Sequence, residues 1–502
     1  MAQGAFDVAI VGSGFAGSLL ALVARRIGLS VVLLEKGSHP RFAIGESTSP
    51  LANLLLEELA TRYDLPRLVP FAKWGSWRRA HPEVSCGLKR GFTFFHHAEG
   101  RPFASAADRQ DQLLVAASPN DEVADTHWYR PDFDAFLVEE AREEGVEYLD
   151  ETGIESTVFE SGRFRIDAGR RGKEILLRSR FLVDASGRGG ALHDALGVRR
   201  VVPFLPATQG LFTHFEGVRR LDEMGLPGGT EIPPYPIDDA AVHHVFPGGW
   251  IWVLRFNNGL TSAGVAASDA LAGAVGFARG EAAWKRLLGC FPTIRDQFEV
   301  ARPTLPFVHA PRLPFRVDRA AGPGWALLPS AAAFADPLLS TGFPLALLGI
   351  HRLAEALEKD FGTPRFDVRL AAHGELTLEE ADRAARVVAA LYGAFEDFPL
   401  FVALSKLYFA AAHFSESARR LGRPERAGTF LCGSHPEFGP ALDACCRAAL
   451  APRDAAARER LLGDVARTVA LVDIAGLLDS SRKNWFPAPP VSASCAASSA
   501  RA

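Results

Sequence analysis

The chain has 502 residues, of which 48% are hydrophobic and 23% charged. That is a globular composition, and it excludes a disordered, collagen-like or disulfide-dense chain. Net charge is −4, from 55 basic and 59 acidic side chains, so no electrostatic footprint for nucleic acid is present.

Length suggests about three modules, with core enough to need no metal or disulfide staple. Cysteines stand at 86, 290, 432, 445, 446 and 495, with no C-x-x-C pair. They read as free thiols of a reducing compartment. No basic region precedes the first apolar run, which Asp7 interrupts, so no signal peptide is expected. No window approaches about 18 uninterrupted apolar residues. The apolar stretch 400–414 carries Ser405, Lys406 and His413, the pattern of a buried helix. A cytoplasmic protein without a membrane span is expected.

Residues 7–11 predict a buried parallel strand, 12–17 a turn, 18–28 a helix and 30–36 a second strand. A helix with a proline start follows at 50–65, and 84–96 alternates like a strand. Residues 130–145 predict a helix with Phe133, Phe136, Leu137 and Ala141 on one side and charges on the other. Residues 147–310 read as strand-rich. Within them, 180–190 is a strand running into a glycine-rich turn, and 241–259 is two strands around Pro-Gly-Gly. An α/β pattern resumes at 324–357, and 366–480 is helical. The stretch 487–502 is low-complexity and reads as a disordered tail.

Gly12-Ser13-Gly14-Phe15-Ala16-Gly17 fits G-x-G-x-x-G between a strand and a helix. Gly12 permits the tight turn, Gly14 lets a pyrophosphate approach the backbone, and Gly17 lets helix and strand pack closely. The helix start, at Phe15 and Ala16, offers free N–H groups to phosphate. Glu35 ends the second strand, where a carboxylate can bond the ribose of an adenosine, with Lys36 beside it. Only one such turn exists, and a strand-rich segment interrupts the α/β pattern. That favours FAD over NAD, with electrons supplied by another protein. The adjacent pairs His96-His97 and His243-His244 point to opposite faces of strands, so neither chelates a metal and no metal site is expected.

His39-Pro40-Arg41-Phe42 followed by Gly45-Glu46-Ser47-Thr48-Ser49-Pro50 resembles the flavin-dependent halogenases. So do 183–190 (VDASGRGG), 334–342 (FADPLLSTG), 249–256 (GWIWVLRF) and 86–97 (CGLKRGFTFFHH). Among that family, bacterial halogenases of free phenols, of the phloroglucinol-halogenase kind, are the most similar. The resemblance runs in order over roughly 1–360.

The resemblance implies an α/β fold: an FAD-binding Rossmann-like domain with an inserted antiparallel substrate-side sheet, plus a C-terminal helical region. The FAD part takes about 1–75, 110–200 and 310–365. The substrate-side sheet takes about 76–109 and 201–309, and the helical region 366–486. It implies that FADH2, oxygen and chloride or bromide yield hypohalous acid, which is relayed to a catalytic lysine, here Lys89. Burial among Cys86, Phe92, Phe94 and Phe95 would lower that lysine's pKa. Glu46 would gate the acid's path or bond Lys89. Arg41, Ser47, Asp184, Asp336 and Gly342 would join the glycine turn around FAD. Ser340, Thr341 and Gly342 would hold halide, and Asp336 would cap their turn. Phe92, Phe94, Trp250 and Trp252 would line the substrate side. A separate NAD(P)H-dependent flavin reductase and a small phenolic substrate would be the partners, with a homodimer among the arrangements allowed.

Three positions depart from the family. Leu339 stands where the tryptophan enzymes have Glu, Leu254-Arg255 replaces Ile-Pro, and Pro329-Ser330 replaces Gly-Asp. Arg255 motivates the alternative reading, a flavin monooxygenase or FAD-dependent reductase of related fold.

Overall fold

The structure, a computed structural model, describes residues 3–201 and 207–488. The predicted tail lies outside the described residues from 489 onward, as does Cys495.

The first sheet is the parallel core. Gln3–Val11 runs between Val31–Leu34 and Lys173–Asp184. Glu147–Leu149 and Trp325–Leu327 extend the sheet in parallel on either side. Strands covered on both faces need continuous apolar runs, and Val31–Leu34 is buried throughout. The helix after the turn is Phe15–Arg26, so the last three residues of the glycine motif already belong to it. An antiparallel hairpin, Thr152–Glu160 and Arg163–Arg170, continues from the start of Lys173–Asp184.

The second sheet has the strand order Arg302–Pro303, Thr208–Glu216, Thr261–Ser268, Gly249–Arg255, Ala241–Phe246, Gly91–His96, Gln112–Ala116, Trp485–Phe486. It is not wholly antiparallel as expected. Ala241–Phe246 runs parallel to Gly91–His96, and Trp485–Phe486 parallel to Gln112–Ala116. Gln112–Ala116 belongs here rather than to the FAD part, so the expected boundary near 110 moves. One face carries Phe92, Phe94, Trp250 and Trp252 into the main core. The other carries Phe95, Ile251 and Val253 against the helices Glu281–Gly289 and Pro292–Gln297. Those helices interrupt the middle of the chain that read as strand-rich.

The stretch 84–96 is two strands, not one. Cys86–Lys89 pairs with Asp125–Trp128 in a small separate sheet, while Gly91–His96 enters the large one. The chain must pass close to its neighbour at the switch. A Cβ on Gly91 would lie 2.3 Å from the Val115 carbonyl oxygen, so only glycine fits.

Four long helices follow: Pro364–Tyr392, Phe398–Arg420, Phe438–Leu450 and Ala455–Ala470. Phe398–Arg420 is long and apolar enough to cross a membrane, yet 72% of its most apolar window is buried inside the fold. It is a core helix, capped by Asp397 on the Leu400 amide. The helical region is stitched into the rest, because the chain beyond it returns as the edge strand Trp485–Phe486.

Burial holds several histidines neutral. It pulls His243 and His373 down to about 3, and His244 and His351 down to about 4, from an ordinary 6.5. Below 6.5 the unfolded chain therefore binds more protons than the folded one, and stability falls as pH falls. Each histidine costs up to about 1.4 kcal/mol per pH unit in that window. Urea denaturation at about pH 5.5 is expected to show a lower midpoint than at about pH 7.5. An unchanged midpoint would contradict the neutral burial of these rings.

Candidate active site

The glycine turn is built as its spacing requires. Gly12 has φ 103°, a conformation open to glycine. A Cβ on Gly17 would lie 1.9 Å from the Gly12 carbonyl oxygen, so helix and turn touch through bare backbone. The helix begins at Gly14 with no side-chain cap and no acid in its first turn. Its leading N–H groups, at Phe15 and Ala16, keep their capacity to bind an anion. Glu35 accepts from the Ser13 amide and hydroxyl, both at 3.1 Å, from the Gly37 amide at 3.0 Å and from Arg41 at 3.3 Å. Burial pushes this carboxyl up, but those amides and the Arg41 charge outweigh it and hold it below the usual range. Lys36 is exposed beside it.

Two guanidinium groups converge on this turn. A Cβ on Gly14 would lie 3.4 Å from Arg130 Nη2 and 3.8 Å from Arg41 Nη2. Arg130 is held by Asp134 through two hydrogen bonds of 2.7 Å, and it also donates to the Gly45 carbonyl at 3.0 Å. The Nε of Arg41 is buried without a partner. Paired guanidinium forks over free helix amides match a pyrophosphate. Sequence reading missed Arg130, which looked like an ordinary helix start. The visible signal was its i,i+4 spacing from Asp134.

Lys89 is fully buried. Its ammonium donates to Ser47 Oγ at 2.9 Å, to the Thr48 carbonyl and to Ser340 Oγ at 3.4 Å. It lies 3.8 Å from the centre of the Phe92 ring. The segment that carries Ser47 is sewn to the Asp125–Trp128 strand by the Thr48 hydroxyl to the Thr126 carbonyl (2.7 Å) and the Trp128 amide to the Glu46 carbonyl (2.7 Å). Asp125 stands directly across from Lys89 in the strand register. Burial pulls the lysine down and pushes the aspartate up, while each charge partly offsets that for the other.

The flavin-loop motif folds into a strained turn. Leu339 and Ser340 have φ of 67° and 54°, a left-handed pair that costs about 1–3 kcal/mol per residue. Asp336 braces it. Its Oδ1 accepts from the Leu338 amide at 3.0 Å and from Trp250 Nε1 at 3.2 Å, and its Oδ2 from the Tyr392 hydroxyl at 2.8 Å. Burial pushes its carboxyl up to about 6. Ser340 also donates to Ser47 at 3.0 Å. The helix Gly342–Asp360 begins here without a side-chain cap. Thr341 and Gly342 line a cleft with Pro329, Ser330, Phe334 and Ala385.

Other expected residues are placed as follows. Asp184 and Asp336, expected at the cofactor, spend both carboxylate oxygens inside the protein. For Asp184 the donors are the Ser186 amide and hydroxyl and the Leu192 amide. Glu46 does not bond Lys89. It accepts from His214 Nε2 at 2.7 Å, a residue sequence reading missed, and its Oε2 is buried without a partner. Trp250 and Trp252 share a face, 5.7 Å apart, and Phe92 and Phe94 stack at 6.4 Å. Arg255 is committed to the 218–238 loop, donating to Asp238 at 3.0 Å and to the Val218 carbonyl at 2.8 Å.

A family model described as FAD dependent oxidoreductase matches residues 7–333. The chain belongs to that family. Its relatives specify the branch. The tetracycline 7-halogenase of Kitasatospora aureofaciens is 28% identical over 422 residues, 81% of this chain and 73% of that protein. The monodechloroaminopyrrolnitrin halogenase PrnC of Pseudomonas fluorescens is 29% identical over 427 residues, 80% of this chain and 70% of that protein. The relatives place the chain among the flavin-dependent halogenases, which are FAD-dependent oxidoreductases. The crystal structure of halogenase PltM with phloroglucinol and FAD has the same fold. It superposes with a TM-score of 0.84 over 96% of this chain and 99% of that one, at 24% identity.

For this halogenase, Gly17→Ala cannot keep the turn, because the new Cβ has no room. The purified variant is expected to lose bound FAD absorbance and to melt lower. Arg130→Ala, which leaves the turn intact, is expected to weaken FAD binding about tenfold or more by removing charge-assisted bonds. Flavin titration checks both.

Proposed function

We propose that the halogenase chlorinates or brominates a small electron-rich phenol, with Lys89 delivering the halogen. One observation carries this reading. A fully buried amine is held by Ser47 and Ser340, one from each of the two loops assigned to the cofactor side, against the aromatic ring of Phe92.

The glycine turn, Arg41 and Arg130 fit the FAD phosphates, and the cleft beside Thr341 and Gly342 fits part of the same cofactor. When bound in reduced form, FAD supplies the oxygen chemistry that turns halide into hypohalous acid. The residues of this chain do the rest. The uncapped amides after Thr341 favour an anion, which suits Ser340, Thr341 and Gly342 as the halide contact. Lys89 holds the electrophile by hydrogen bond or as a haloamine, and burial keeps competing water away. Fixing the electrophile over one ring carbon is a proximity effect. Phe92, Phe94, Trp250 and Trp252 form the apolar wall. Glu46, tied to His214, stands beside this route rather than on the amine.

PltM, with the same fold, binds phloroglucinol in its crystal structure, which supports a free phenol as substrate. Electrons come from a separate flavin reductase, because the sequence holds only one glycine fingerprint. A cytoplasmic location and a homodimer complete the reading. The monooxygenase or reductase alternative rested on Arg255, and its bonds to the loop now explain that residue.

The test is a panel of phenols with reduced FAD and chloride or bromide, read by product isotope pattern. Lys89→Met, which keeps the buried volume, is expected to retain FAD and to lose about 100-fold or more of halogenation. Activity surviving that change, or oxygenated products indifferent to halide, would overturn the reading.

A further inference from the structure

We propose that Asp125 receives the hydroxyl group of the phenolic substrate and takes its proton as the ring is halogenated. The inference rests on the reading of Lys89 given above.

Asp125 is nine-tenths or more buried, at 5% exposure. Its Oδ1 accepts from Asn53 Nδ2 at 2.9 Å, but its Oδ2 has no partner. An unpartnered buried carboxylate oxygen is costly. The carboxylates of Asp134, Asp184 and Asp336 nearby in the fold have both oxygens occupied. The open oxygen therefore calls for a donor that the chain does not provide.

Its surroundings say what kind of donor. Residues directly opposite in paired strands project to the same face, so Asp125 and Lys89 share one. The Lys89 ammonium turns to Ser47, Thr48 and Ser340 and does not hydrogen-bond the carboxylate. Phe92 carries that ammonium on its ring and meets Tyr408 edge-on. The Tyr408 hydroxyl is pushed up first by burial and then by the charge of Asp125. Lys89, Phe92, Tyr408 and Asp125 are thus neighbours. Glu416 and Arg420, on the helix packed above, also act on Asp125, but Arg420 bonds to Glu416. Tyr408 also borders a small void with Ser49, Leu51, Pro344, Ala412 and Ser415. An amine for the electrophile and an acceptor for a hydroxyl, with aromatic walls between, is the complement of a monocyclic phenol.

The step balances. A ring carbon forms its bond to halogen as the halogen–oxygen bond of hypohalous acid breaks. The oxygen leaves as hydroxide and takes a proton from the Lys89 ammonium, giving water. The phenolic proton passes to Asp125, leaving a halogenated dienone. The Lys89 amine then removes the ring proton, and Asp125 returns its proton to the oxygen. Phenol and hypohalous acid become halophenol and water, with both side chains restored.

The experiment compares phenol with 4-nitrophenol, which is ionised in water at about pH 8. The holoenzyme and Asp125→Asn are supplied with reduced FAD and bromide. The variant is expected to lose about 100-fold in kcat/KM on phenol but less than about tenfold on 4-nitrophenol, whose proton is already gone. Equal losses on both would overturn the inference and make Asp125 a counter-charge for Lys89. A wild-type enzyme that halogenates neither phenol would instead refute the substrate reading above. Should the variant not hold FAD, the wild-type holoenzyme decides by absorbance at about pH 6. Bound 4-nitrophenol is expected as the yellow phenolate, and a neutral spectrum for the bound phenol overturns the inference.

Discussion

The amine of Lys89 has no access to water, and the architecture of the site follows from satisfying it. Burying an ammonium without acceptors costs several kcal/mol. Two segments far apart in sequence supply oxygen: Ser47 and Thr48 from one loop, Ser340 from another. The Phe92 ring adds its face. None of these acceptors carries a full negative charge, so the amine is held without being locked into an ion pair. That leaves it open to exchange protons, as the proposed delivery role requires. The same requirement explains why the chain leaves one sheet at Lys89 and enters another at Gly91. The switch points the lysine at the loops while Phe92 and Phe94 stay in the large sheet.

Buried carboxylates around the site divide by whether their oxygens are spoken for. Asp184 draws in the turn after its strand, and Asp336 braces the left-handed pair Leu339 and Ser340 with help from Trp250 and Tyr392. Asp134 fixes Arg130 over the glycine turn. These acids act on geometry: they hold backbone and guanidinium groups where an anionic cofactor would meet them. Tyr392 comes from the helical region, so that region takes part in shaping the flavin loop. Glu46 and Asp125 differ, each with one oxygen buried and open.

Much of this was legible in residue pattern. The glycine turn, its flanking strands and the alternation Trp250, Trp252 against Ile251, Val253 follow from local sterics and period, and the structure repeats them. The strand switch at Arg90 was not legible, because 84–96 alternates smoothly and only the neighbouring Val115 carbonyl forbids a side chain at Gly91. Arg130, His214 and Asp125 were also hidden. Their partners lie on other elements, and a lone charged residue on a strand or helix start carries no mark of what it will face.

The sequence by itself determined the dinucleotide turn and the family resemblance, and it singled out Lys89 as a candidate, because each rests on short local motifs. Only the tertiary structure decided that Glu46 answers to His214 rather than Lys89. It also decided that Arg255 serves a loop and that Asp125 stands across from the lysine with an oxygen to spare. Those are matters of register between strands and of loops meeting from 40 to 340, distances along the chain over which no local pattern carries information.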